Sequence, residues 1–217
     1  MKLLYKLKYC IIFSAAVVFS GCEIAGLKLQ EDVKYEYHVL DPKVNMTALE
    51  FMNLPREDTV FELMQEGIKY AGLEAEYSKP NRTFLFLTNE AIREYNDDGS
   101  INDDSYFGYN VLPGGEAATK WEDYPVEEVR DFFLYHIIDS VYSYDNLGPE
   151  NLEVNTLLDA PDNKAYLKIM NARNSKLRVN DRPFTIKYAE ARSSNIQVTN
   201  GVVHAFADFV VPGTLDE

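Results

Sequence analysis

Cysteine is almost missing from this chain. Two occur among 217 residues, Cys10 and Cys22, both near the start. From Glu23 onward there is no thiol for a disulfide, a cysteine metal site or a cysteine nucleophile. Histidine is nearly as scarce: His38, His136 and His204 are the only three, and none has a partner at the spacing of a zinc protease. No Gly-x-Ser-x-Gly elbow and no phosphate loop occurs. Positive charge is also short, with 21 Lys and Arg against 35 Asp and Glu and a formal charge of −14. Such a chain repels polyanions unless a local basic patch exists. None stands out along the sequence, so nucleic acid is excluded as an expected partner. Paired carboxylates serve glycosidases, but with 35 acids some pair is inevitable. Their abundance identifies no reaction, and an enzyme is not expected.

The N-terminus is patterned. Lys2, Lys6 and Lys8 precede an uncharged apolar run over 9–19. That run is shorter than the roughly 20 residues of a membrane-spanning helix and fits a secretory signal peptide. Phe19-Ser20-Gly21-Cys22 is similar to the bacterial lipobox, in which the cysteine is lipidated and becomes the new N-terminus; an ordinary signal peptide with a chance cysteine is the alternative. The expected organisation is a lipoprotein signal over 1–21, a lipidated tether over 22–45 and one domain over 46–217. Losing the first 21 residues removes three Lys and no acid, leaving −17. The protein is expected to be exported and held at a membrane through the lipid on Cys22. His38 lies in the tether, where alternation of Val33, Tyr35, Tyr37 and Val39 predicts a short edge strand.

The remainder is 46% apolar and 13% aromatic over the whole chain, enough to bury a core. Residues 47–52 fit one or two helical turns. Val60, Phe61, Met64, Ile68 and Ala71 predict a helix over 59–71, with Thr59 and Glu62 as a capping box, Gly72 at C′ and Leu73 closing the end. The apolar run over 83–88 reads as a buried strand, followed by a helix over 90–95 capped by Thr88 or Asn89. The segment 96–115, rich in Asp, Asn, Gly and Tyr, reads as a long surface loop. Pro125 opens a helix whose apolar face carries Val126, Val129, Phe132, Phe133 and Ile137. Strands are expected over 166–170, 176–179 and 184–188, with a turn at Asn180-Asp181. The last is a hairpin over 195–212, turning at Asn200-Gly201 through positive φ. No internal repeat is visible.

Three stretches resemble the fasciclin (FAS1) domain family. Phe84-Leu85-Phe86-Leu87-Thr88-Asn89-Glu90-Ala91 is similar to its first box, keeping Thr-Asn-Glu-Ala and lacking the Ala-Pro step. Tyr135-His136 stands where the family carries a Tyr-His step. Asn200-Gly201-Val202-Val203-His204, with Asp208, Val211 and Pro212, is similar to its second box. Thr156-Leu157 also resembles a family strand start. The resemblance covers about 46–212. It implies an α+β fold, a wedge of β-strands packed with several short α-helices. It also implies a binding or adhesion module at a bacterial cell envelope, expected in the outer membrane, meeting extracellular protein or polysaccharide. Thr88, Asn89, Tyr135, His136, Asn200, Gly201 and His204 are the family-motif positions, expected to hold the fold together.

Two local patterns add candidate sites. From Glu94 to Ser105, oxygen donors at Glu94, Asn96, Asp98 and Asn102, with Gly99 at the sixth position, follow the calcium-loop spacing. Ser105 at the twelfth position cannot supply the bidentate carboxylate. No cofactor is expected; the loop reads as a solvated acidic turn, with calcium as the alternative its spacing offers. Tyr106, Phe107, Tyr109 and Trp121 follow, either as a stacking surface for sugar or protein or as part of the core.

Overall fold

The computed structural model describes residues 23–24, 27–28, 41–55, 59–171 and 176–213. Cys22, the signal segment, His38 and the expected edge strand over 33–39 lie outside them. Two compact units separate at residue 40. In the first, β1 (Glu23–Ile24) and β2 (Leu27–Lys28) pair antiparallel.

The second unit begins along a strand. Val44 N–H donates to the Gln197 carbonyl at 2.8 Å, and Gln197 N–H to that of Pro42 at 2.8 Å, so hydrogen bonding to the domain starts within the stretch expected to be tether. Helix α1 (Ala48–Met52) follows, opened by a capping box between Thr47 and Glu50. Helix α2 (Glu62–Tyr70) is next. Thr59 does not cap it. Its backbone sits at φ 42°, and the helix starts three residues later than predicted. The far end matches expectation. Gly72 at φ 64° and Leu73 return N–H bonds to Lys69 and Ile68, satisfying orphan carbonyls, and Leu73 is buried.

A short 3₁₀ turn (Glu76–Ser78) leads to β3 (Arg82–Leu87), then the single-turn α3 (Asn89–Ile92), shorter than expected. Helix α4 (Tyr106–Tyr109), a 3₁₀ turn (Trp121–Asp123), α5 (Val126–Tyr135) and β4 (Ile137–Ile138) come next. The strands β5 (Leu152–Asn155), β6 (Lys164–Ile169), β7 (Leu177–Val179), β8 (Ala189–Val198) and β9 (Gly201–Phe206) finish the chain.

Seven strands form one sheet in the order β4-β3-β9-β8-β7-β6-β5. At its centre β3 and β9 run parallel, from Arg82 opposite Gly201 to Leu87 opposite Phe206. Both strands are buried along nearly their whole length on both faces, as a parallel pair must be. Strand β8 bends through two irregularities opposite β9, with Asn195 at φ 62° in the second. The two sheet edges then meet. Ile138 bridges Thr156, Asp139 N–H donates to the Asn155 carbonyl at 2.9 Å, and Leu157 N–H to that of Ile137 at 2.8 Å. The result is the α+β wedge expected of the family, closed at its edges rather than open.

The helices stack on this wedge through an aromatic layer. Trp121 donates from Nε1 to the Leu63 carbonyl at 2.7 Å and packs on Phe107 and Phe133, with ring centroids 4.9 and 5.0 Å away. Tyr106 stacks on Phe132 at 4.0 Å. Tyr106, Phe107 and Trp121 are thus core residues; of the expected stacking set only Tyr109 is exposed. The loop over 96–115 is correspondingly half a loop. Its first part is solvent-facing, and its second part is α4, drawn inward by these rings. The reading of 184–188 as a strand also fails: Phe184 takes φ 67°, which breaks an extended run.

Candidate functional site

The family-motif side chains are spent inside the fold, at separate places. Asn89 was expected to cap its own helix. Instead its Oδ1 accepts from Leu63 N–H at 2.9 Å, in the first turn of α2, while its Nδ2 donates to the Thr59 carbonyl at 2.9 Å. Asn200 does the same for α1. Its Oδ1 accepts from Ala48 N–H at 2.8 Å, and its Nδ2 reaches the Tyr77 and Lys79 carbonyls at 2.9 and 3.1 Å. Each motif asparagine caps a helix distant in sequence. Thr88 is the N-cap of α3 by backbone, but its side chain makes no capping bond. Neither Thr199 nor Asn200 takes positive φ, and Gly201 lies within β9. The expected hairpin is present, but its two-residue turn is Thr199-Asn200, one residue earlier than read and without positive φ, with Gly201 opposite Val198 as the first pair.

Asn89→Ala is expected to leave Leu63 N–H and the Thr59 carbonyl without partners and to cost about 2 kcal/mol. Asn89→Asp keeps the acceptor and loses the donor, so its melting temperature should fall between those of the parent and the alanine variant. An alanine variant melting with the parent would refute the capping role.

The remaining motif residues anchor loops. Tyr135 Oη donates to the Lys164 carbonyl at 2.9 Å and accepts from Asn180 Nδ2 at 3.0 Å; burial pushes its hydroxyl up to about 12. His136 Nδ1 bonds the Phe132 carbonyl at 2.8 Å, leaving Nε2 to accept from Val210 N–H at 3.5 Å. His204 is held the other way round: Nε2 faces the Tyr142 carbonyl at 3.0 Å, and Nδ1 accepts from Asn195 N–H at 3.2 Å. Both rings are fully buried, and burial lowers each to about 4, so both are neutral.

The acidic turn holds itself. Asp98 Oδ1 accepts from Ser100 N–H and Oγ at 3.0 and 2.6 Å, which keeps its carboxyl below the usual range. Glu94 lies beyond α3, and its Oε2 accepts from Asn102 Nδ2 at 3.1 Å; Asn96 Nδ2 donates to Ser100 Oγ at 2.9 Å. Among the described residues no three His, Cys, Asp or Glu side chains come together as a metal-binding group.

The outer face of β6, β7 and β8 was not foreseen. Pairing sets Lys168 opposite Arg178 and Arg178 opposite Glu190. Asp181 joins Lys168 at 2.9 Å and Arg178 at 2.8 Å; Glu190 joins Arg178 at 2.9 Å and Lys176 at 2.6 Å. This is an ion-pair network of three cations and two acids. The sequence concentrates cations in this stretch, but only strand register shows which of them meet. Beside them Phe184, Ile186 and Tyr188 are 51%, 40% and 51% exposed. Three large apolar side chains on one solvent-facing segment are unusual for a surface, and contiguous patches of this kind mark contact sites.

The fasciclin domain family model matches residues 59–212. Among solved structures, a FAS1 domain pair from the insect cell adhesion molecule Fasciclin I aligns over 76% of this chain and 45% of that one, at 20% identity and a TM-score of 0.45. The chain thus spans less than half of that structure. No curated protein matches. The family match runs from Thr59, ahead of α2, to Pro212, past the central strand β9, and takes in Asn89, Tyr135-His136 and Asn200 to His204: this chain belongs to the fasciclin domain family.

Proposed function

We propose that this protein is a lipid-anchored component of a bacterial cell envelope, placed in the outer membrane, whose fasciclin domain acts by binding rather than by catalysis. Its partners are extracellular protein or polysaccharide, and the lipid on Cys22 is its link to the membrane. The observation that carries the binding reading is the exposed row of Phe184, Ile186 and Tyr188. Water-facing rings of this size are kept by burial against a partner. The motif asparagines and histidines are engaged in internal hydrogen bonds, so these four side chains serve the fold. The same row supports a second reading, an accessory glycan-binding lipoprotein of a polysaccharide capture system, because aromatic faces stack on sugar rings.

Display at the surface is tested by adding proteinase K to intact cells. Residues 96–100 and 113–116 are exposed loop positions open to cleavage. Loss of the full-length band from intact cells is the expected result. Protection in intact cells, with cleavage after lysis, would move the domain to the periplasm and replace adhesion by an envelope-internal partner.

A further inference from the structure

The cations of this chain are unevenly placed. Residues 164–192 contain eight Lys and Arg against two acids of their own, in a chain of formal charge −14, and acids from elsewhere answer two of these cations: Asp208 pairs with Lys187 at 3.1 Å and Glu90 with Arg192 at 2.9 Å. Both acids, Asp181 and Glu190, are taken up by Lys168, Lys176 and Arg178. Arg182 is left over. Among the described residues no carboxylate pairs with it, and its guanidinium lies over the Tyr166 ring, 4.1 Å from the centroid. Lys164 is only loosely matched, 3.4 Å from Glu153 with both side chains about half exposed. Arg182, Tyr166 and Lys164 line a cleft of about 260 Å³ whose other lining includes Tyr135, Asn180 and the acid Asp162. Phe184 stands two residues from Arg182. Its backbone is held at φ 67°, an expensive conformation for a bulky residue, yet its ring is half in water. Strain not returned by burial is a mark of binding segments.

We infer that this cleft and the aromatic row beside it bind an anionic polysaccharide, a chain of sugar rings bearing carboxylates. The unpaired guanidinium presents two parallel N–H groups to a carboxylate. Phe184 and Tyr188 offer apolar faces for the rings between charges. The acidic remainder of the domain confines a polyanion to this strip. An acidic peptide would satisfy the cations but not the aromatic faces, which is why sugar is favoured. The inference deepens the polysaccharide side of the binding function proposed above and rests on it.

Native gels of the purified full chain, cast with polygalacturonate, test it. Polygalacturonate is expected to retard the protein; neutral dextran, dextran sulfate and polyglutamate at matched charge are not. Arg182→Gln should weaken retardation about tenfold, the loss of one charge-assisted contact. Phe184→Gly should weaken it as well while melting at or above the parent temperature, because glycine accepts positive φ without strain. That variant separates lost binding from lost folding. Retardation unchanged in Arg182→Gln would overturn the inference. So would equal retardation by polyglutamate or neutral dextran, retardation by dextran sulfate alone, or no retardation at all. A protein cleaved on intact cells that ignores polygalacturonate would lose this ligand and keep its adhesive reading.

Discussion

Gly201→Ala is expected to leave little folded protein. A Cβ at this position would lie 2.0 Å from the Arg82 carbonyl oxygen and 3.0 Å from its carbon. Both are backbone atoms of the parallel partner strand, in the pair that opens the β3–β9 ladder. A flexible side chain could swing away; a central strand cannot move without breaking the ladder on its other side, to β4. The same displacement would draw Asn200 off Ala48 and the Tyr77 carbonyl. A loss of about 4 kcal/mol or more is expected, in the range reserved for core disruption and close to the whole stability of many domains. Urea unfolding of the soluble fraction measures it. An alanine variant with the parent's midpoint would show that β3 and β9 are not packed as closely as described.

Acidification is expected to act on a comparable scale, through two residues. His136 and His204 are neutral in the folded protein, each lowered from 6.5 to about 4 by burial. Each also turns one ring nitrogen to a backbone N–H, Val210 for His136 and Asn195 for His204. A proton there would set donor against donor. The unfolded chain takes up these protons below about pH 6.5 and the folded chain does not, so stability is full above that pH and falls as pH drops towards 4. The loss is about 3 kcal/mol for each histidine across the window. With both, the slope is about 3 kcal/mol per pH unit near pH 5. Asp181 and Glu190, lowered by their bonds to Arg178 and Lys176, lose their contribution only at lower pH, as they protonate. Urea midpoints from pH 7 to 4.5 test the histidine window. His204→Gln keeps a donor for the Tyr142 carbonyl and should halve the slope, though it is less stable at pH 7. A slope unaffected by the substitution would mean that His204 does not carry the effect.

Much of this fold was legible because its signals are local. The apolar run ending at Leu87 can only be a strand buried on both faces, and Gly72 with Leu73 writes a helix end in two residues. The helical turns expected over 47–52 are present, and Thr47 with Glu50 adds a local capping box. The misreadings share a cause. Asn89 and Asn200 were placed by their neighbours, whereas their partners are Leu63 and Ala48, far along the chain. Asn200-Gly201 has the composition of a tight turn, yet both residues were selected by what packs on them: a helix start and a facing backbone. Tyr106, Phe107 and Trp121 sit among polar residues and still point inward, because three rings in contact bury more apolar area than a loop can expose without cost. The surface was least legible. Arg178 meets Lys168 and Glu190 only through strand register, and Phe184 looks like a strand residue until its φ is known.

The reach of Asn200 has a consequence for the order in which this protein can acquire its structure. One N–H at the start of the domain's first helix, that of Ala48, finds its acceptor 152 residues away, beyond what the local Thr47–Glu50 box satisfies. The central strand β3 has no parallel neighbour until β9 exists. A chain emerging N-terminus first, whether from a ribosome or through a membrane pore, therefore cannot complete its leading half early. Contacts of such long sequence separation form late. The central pair closes only once β9 has formed.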